Sequence, residues 1–365
     1  MKCHYKIYQF FLGVALWVVL SGWGYTGHSK IAKEAISSVG DTMKGFSEFS
    51  SFITAHSSDP DFRKFWVKTE SPKHFIDLDN YEEFHIDGLI DTSYFALVSK
   101  HGEAFVVQQG ILPWATINAF DSLRTSFRKR DFTKAMHWAA DLSHYVGDGH
   151  MPLHVTRNYD GQETGNKGIH ARYESEMVVA YADSISFKAE KVSYIENPKQ
   201  YVFSYLSDSY MFCTKVFDAD NESQALAGNA KSVDYLQQMW KRTSGMTNNR
   251  FGKASTALAS LIYTAWVDAG SPEIDTKTVP YACNIKALDK LLDSNLVVNY
   301  QINTQGTYKL DVRSADGTPL QKGGLWLREP GNYSDTLSLK TLPEGVYLIT
   351  LDSENFSAVE RFINK

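Results

Sequence analysis

Apolar residues recur at three- and four-residue intervals through most of residues 31–269, most clearly over 132–146 and 255–268. That spacing predicts helices that bury one face. Breaks rich in Gly and Pro at 110–113 and 158–168 separate them. After Gly270-Ser271-Pro272 the pattern changes: residues 297–302, 308–312 and 346–351 alternate or cluster as strands do, with turns at 303–306, 316–317 and 343–345. The chain reads as mainly α, a multi-helix domain over residues 23–280 followed by a small C-terminal β-sandwich over 285–365.

The first 22 residues have another pattern. Lys2 and Lys6 precede an apolar run at positions 10–20, and Ser21 and Gly22 follow it. Eleven such residues are too few to cross a bilayer of about 30 Å and suit a secretory signal peptide. The expected product is an exported chain that begins at Trp23 and has no transmembrane segment; an uncleaved anchor is the rival reading.

Composition changes the picture only slightly. A chain of 365 residues, 43% hydrophobic, has room for one large domain and one smaller one. The net charge of −5 argues against tight, sequence-independent nucleic-acid binding, which rests on Lys and Arg neutralising phosphates. Cys3 falls in the signal segment, and Cys213 and Cys283 form either one disulfide or two buried thiols. Neither has the CxxC spacing of a cysteine metal site.

Candidate chemistry concentrates between residues 135 and 177. His144 and Asp148 stand four apart, His154 six further on, and His170 and Glu174 again four apart. An i,i+4 pair places both side chains on one helix face, where one ion can bridge them, and imidazole with carboxylate is a zinc-type donor set. His137 and Asp141 share the stripe of His144 and Asp148 and are read as groups behind the ligands or on the surface. The result is a multinuclear zinc site, although nitrogen and oxygen donors also suit Mn²⁺ or Co²⁺.

This arrangement resembles the zinc-dependent phospholipase C / S1-P1 nuclease superfamily over residues 23–270. The matching residues are Trp23 and His28, Asp59 in Ser57-Ser58-Asp59-Pro60-Asp61, His74 in Pro72-Lys73-His74-Phe75, His144 with Asp148, His154, and His170 with Glu174. The resemblance implies three zinc ions. Asp59, His74, His144 and Asp148 would hold one, and His154, His170 and Glu174 a second with an open position. The α-amine and carbonyl of Trp23, with His28 and Asp148, would hold the third. Only a terminal amine offers a free lone pair, so that third site would need cleavage after Gly22. The implied activity is phosphodiester hydrolysis by activated water, with Asp59 a candidate catalytic group. Phospholipase-like signs are the sixteen-residue gap from His154 to His170 and the acid Glu174. Nuclease-like signs are the five-residue step from Trp23 to His28, His150, and Asp160-Gly161 with Gly165-Asn166. On the nuclease reading Phe75 and Asp77 would stack on and hydrogen-bond a base, but both branches carry a similar His-aromatic step. Met151 and Val155 depart from the family pattern. The expectation is a secreted phospholipase C-like phosphodiesterase acting on phospholipid. A single-strand nuclease or nucleotidase is the first alternative, and a non-catalytic surface-binding protein with structural zinc the second.

The tail resembles the C-terminal sorting domain of proteins exported by type IX secretion machinery. Val298-Asn299-Tyr300, residues 308–312, Asp316-Gly317, Leu337-Ser338-Leu339, residues 342–348 and Arg361-Phe362-Ile363 carry that likeness. It implies passage across the outer membrane and no part in catalysis; a generic binding sandwich is the other reading.

Overall fold

The structure, a computed structural model, describes residues 23–40, 42–64, 67–277, 286–287, 295–302, 305–314, 317–338, 342–343, 345–353 and 357–364. The signal segment, Cys283 and the domain boundary near residue 280 lie outside the described residues. The fold is mainly helical with a C-terminal β region. No described helix is long and apolar enough to cross a membrane.

Three helices frame the site. Gly24–Val39 packs along the 36-residue helix Val233–Asp268, and both lie against Phe132–Gly149. Asp131 starts the last of these by accepting the Lys134 N–H at 3.0 Å, and the Ser232 hydroxyl starts the long one by accepting from the Tyr235 N–H at 3.1 Å. The apolar spacing over 132–146 continues as helix to Gly149, three residues beyond its sequence signal. Gly147 belongs there because the His28 ring lies against it: an added Cβ would sit 2.8 Å from His28 Nδ1.

Among the described residues the β region has seven strands: β1 (Lys286–Ala287), β2 (Asn295–Ile302), β3 (Gly306–Ser314), β4 (Pro319–Arg328), β5 (Gly331–Ser338), β6 (Gly345–Ser353) and β7 (Ser357–Asn364). They form antiparallel sheets in the orders β1-β2-β5 and β4-β3-β6-β7. Alternate residues of β2, namely Leu296, Val298, Tyr300 and Ile302, meet Leu310, Val312, Ile349 and Leu351 of the other sheet. This is the sandwich that the alternation predicts. Its apolar cluster is separate from the helical one, which runs from Trp23 to Ile274.

Candidate metal centre

Seven segments deliver the site. The Gly24–Val39 helix carries His28, Asp59–Arg63 carries Asp61, and a 3-10 turn, Ser71–His74, ends on His74. Phe132–Gly149 supplies His144 and Asp148 one turn apart. His154 closes the Pro152–His154 turn, His170 lies in Ile169–Ala171, and Glu174 lies in the π-helical turn Arg172–Glu176. All eight side chains are buried.

The first group gathers at His144. His144 Nδ1 donates to the Ser57 carbonyl at 2.9 Å, which leaves its Nε2 facing inward. Nε2 lies 3.0 Å from His74 Nδ1, 3.1 Å from Asp148 Oδ2 and 3.6 Å from Asp61 Oδ1. His74 Nδ1 in turn lies 3.1 Å from Asp148 Oδ2 and 3.5 Å from Asp61 Oδ1. Donors held 2.0–2.1 Å from one tetrahedral ion stand about 3.3 Å apart, so these separations suit a shared cation. Burial alone would lower His144, but Asp148 and Asp61 outweigh it and raise it to about 9. Burial lowers His74 to about 4.

Asp148 links this group to its neighbours. Its Oδ1 points the other way, 3.4 Å from His28 Nε2 and 3.6 Å from His154 Nδ1. His28 stacks on His144 with ring centroids 4.1 Å apart, and neither His28 nitrogen has a hydrogen-bond partner. His28, His144 and Asp148 are close enough to form a further cation group. His144 Nε2 has only one lone pair, however, so it can serve this group or the first but not both.

The second group is the clearest test of fit. His154 Nδ1 donates to the His74 carbonyl at 2.7 Å, and His170 Nδ1 to the Tyr159 carbonyl at 3.1 Å. Their Nε2 atoms then face each other at 3.2 Å, a distance at which both cannot carry protons. Glu174 adds Oε1 at 3.1 Å from His170 and Oε2 at 3.3 Å from His154, and neither oxygen makes a hydrogen bond. Buried polar groups without partners are costly. A cation among the three residues satisfies every inward atom at once, and three protein donors leave a fourth position for another ligand.

One expected member changes. Asp59 does not enter the first group; Asp61 does. Asp59 Oδ2 is held by His56 Nδ1 at 2.8 Å, one turn back. Residues two apart on a helix point to nearly opposite sides, so only one of the two acids can face His74 and His144. Asp61 Oδ1 also accepts from Lys64 Nζ at 3.0 Å, while its Oδ2 is buried without a partner. The Trp23 ring is fully buried against Phe251 and Tyr173, at centroid distances of 4.7 and 5.7 Å. Its carbonyl accepts the Gly27 N–H at 3.0 Å.

Asp141 also differs from expectation. It supports no ligating imidazole and instead takes Arg63 Nη1 and Nη2 at 2.9 and 2.7 Å. Arg63 Nη2 reaches Glu70 Oε1 at 3.3 Å, and Glu70 further accepts from Lys73 at 2.8 Å and from the Tyr145 hydroxyl. This brace ties together the segments that bear Asp61, His74 and His144. His137 has neighbours in Phe52 and His56, away from the three groups, and burial holds it well below its ordinary range.

A cavity of about 350 Å³ opens beside both groups. His74, His154 and His170 line it together with Lys64, Phe75, Asp77 and Tyr159. Burial, and then Asp79, push Asp77 up to about 7. His150 is not in the lining. It is buried, stacked on Tyr205 at 4.3 Å, and donates to the Val146 carbonyl.

No family model matches the chain. A curated protein of Bradyrhizobium tropiciagri, named a probable serine protease, is 22% identical over 204 residues, which is 47% of this chain. The chain spans about a quarter (26%) of that protein's length. Among solved structures, the alpha-toxin of Clostridium absonum aligns over 96% of this chain and 100% of its own, at 13% identity and a TM-score of 0.43. A Clostridium perfringens alpha-toxin from an avian strain covers 95% and 98% at 11% identity and a TM-score of 0.39. Likenesses this distant leave the activity to be argued from the chain's own side chains.

Proposed function

We propose that the chain is a zinc-dependent phosphodiesterase of the phospholipase C type, holding up to three ions. The observation that carries this reading is a group of four donors beside an open group of three, with His74 of the first and His154 and His170 of the second lining one cavity. A purely structural zinc site would be closed by four protein ligands. Bound divalent cations supply Lewis acidity toward a phosphoryl oxygen and a water that is nucleophilic near neutral pH.

The chain's own groups do the rest. Carbonyls of Ser57, His74 and Tyr159 lock three imidazoles with Nε2 inward. The role of proton acceptor passes from Asp59 to Asp61, whose Oδ2 is unengaged. Asp61 takes one proton from water as its oxygen adds to phosphorus, the ester P–O bond breaks, and that proton passes to the leaving oxygen. Lys64 lines the cavity and can meet the phosphate's charge, while Phe75, Leu153 and Tyr159 give it apolar walls suited to a lipid ester. Single-stranded nucleic acid is the second reading, in which Asp77 of that same cavity would hydrogen-bond a base. We assign catalysis to residues 23–280, export to residues 1–22, and an outer-membrane sorting role with type IX machinery to the β region.

The test compares initial rates on phosphatidylcholine vesicles and single-stranded DNA, zinc-loaded and with EDTA. EDTA-sensitive release of diacylglycerol with DNA untouched is expected. Nucleotide release alone would transfer the proposal to the nuclease reading, and activity on neither would overturn it.

A further inference from the structure

His170 and Glu174 lie on a short, irregular segment. It leaves a loop at Gly168 (φ 86°), makes one α turn, and widens into the π turn Arg172–Glu176. Such π turns are rare and occur mostly as single-turn bulges, frequently at functional sites. Arg172 lies midway between the two ligands, so its side chain leaves the opposite side of the helix.

There it meets Asp220, a fully buried carboxylate on the helix Cys213–Ala227. Arg172 Nη2 lies 2.9 and 3.1 Å from the two Asp220 oxygens. Asn166 Nδ2, from the loop before the turn, donates to Asp220 Oδ2 at 2.8 Å, and Gln224 Nε2 does so at 2.7 Å. The Tyr235 hydroxyl donates to Oδ1 and accepts from Arg172 Nε at 3.0 Å. Arg172 also donates to the carbonyls of Lys167 and Asn166 at 2.9 and 3.2 Å. Four side chains thus converge on one buried acid, and two of them come from the segment that carries the ligands.

We infer that Asp220 is a positioning residue for the second cation group: through Arg172 and Asn166 it fixes the turn that aims His170 and Glu174 at His154. This rests on the metal-binding reading above. It differs from a general role in stability because the first group draws on other segments, braced by Arg63 and Glu70.

The experiment measures zinc content and affinity by chelator competition in the wild-type chain, Asp220→Asn, Tyr235→Phe and Glu174→Gln. Loss of a partner that orients metal ligands typically weakens binding about 10–100-fold. Asp220→Asn is expected to weaken one class of zinc by that factor, the same class that Glu174→Gln removes, and to leave the other class unchanged. Tyr235→Phe removes the hydroxyl's bonds to Asp220 and Arg172 but keeps the Arg172–Asp220 pair, so it should weaken the same class less; it carries the test if Asp220→Asn does not fold. Unchanged affinity in folded variants, or equal weakening of every class, would overturn the inference while leaving the metal centre standing. A wild-type chain that binds no zinc would overturn both.

Discussion

Replacing Glu70 by Gln tests whether the brace under the first metal group is electrostatic. Burial raises the Glu70 carboxyl, but Arg63 and Lys73, with hydrogen bonds from Lys73 and Tyr145, outweigh it and bring it to about 2 from an ordinary 4.5. At 1.36 kcal/mol per unit, that depression corresponds to about 3 kcal/mol of stability. Its sign is fixed: the folded value lies below the unfolded one, so the contribution is complete above about pH 4.5 and fades as pH falls toward 2. Urea unfolding of EDTA-treated wild type and Glu70→Gln at several pH values measures the difference. The gap should be about 3 kcal/mol at pH 6 to 7 and should shrink between pH 4.5 and 2.5. A gap that stays constant across that range, or is absent at neutral pH, would refute the reasoning.

Other substitutions probe the site itself. Asp61→Asn should lower affinity at the first zinc class at least about tenfold, whereas Asp59→Asn should leave it nearly unchanged; chelator competition distinguishes them. Gly147→Ala puts a Cβ 2.8 Å from His28 Nδ1, so it should displace His28, reduce zinc bound there, and cost about 1–3 kcal/mol by thermal unfolding. Asp77 sits near 7, neutral below and charged above, so substrate KM should change around pH 7 in wild type and lose that step in Asp77→Asn. An unaltered pH profile in the variant would remove Asp77 from substrate recognition.

The clustering of most candidate donors was legible because their spacing is local. His144 with Asp148, and His170 with Glu174, stand four apart, and a helix turns that spacing into a shared face. Which acid of Asp59-Pro60-Asp61 turns inward was not legible without the helix phase. One signal was there, since His56 stands three residues before Asp59 and offers it a nearby partner. The Arg63–Asp141 pair joins residues 78 apart, and Arg172 meets Asp220 across 48 positions; spacing along the chain does not encode either. The π turn was hidden as well, since no residue type or spacing over Arg172–Glu176 marks it. In the β region, alternation marked the strands at β2, β3 and β6, but not that β2 would pair with β5 across the chain.

The central claim is that buried His, Asp and Glu side chains hold catalytic cations. The most direct measurement is the metal content of the full-length chain, purified without chelator, dialysed against limited free zinc, and analysed by mass spectrometry of the elements. At least two tightly held zinc ions per chain are expected, falling by one in Glu174→Gln. Less than one equivalent of any divalent metal in the wild type, or a count unchanged by that substitution, would contradict it.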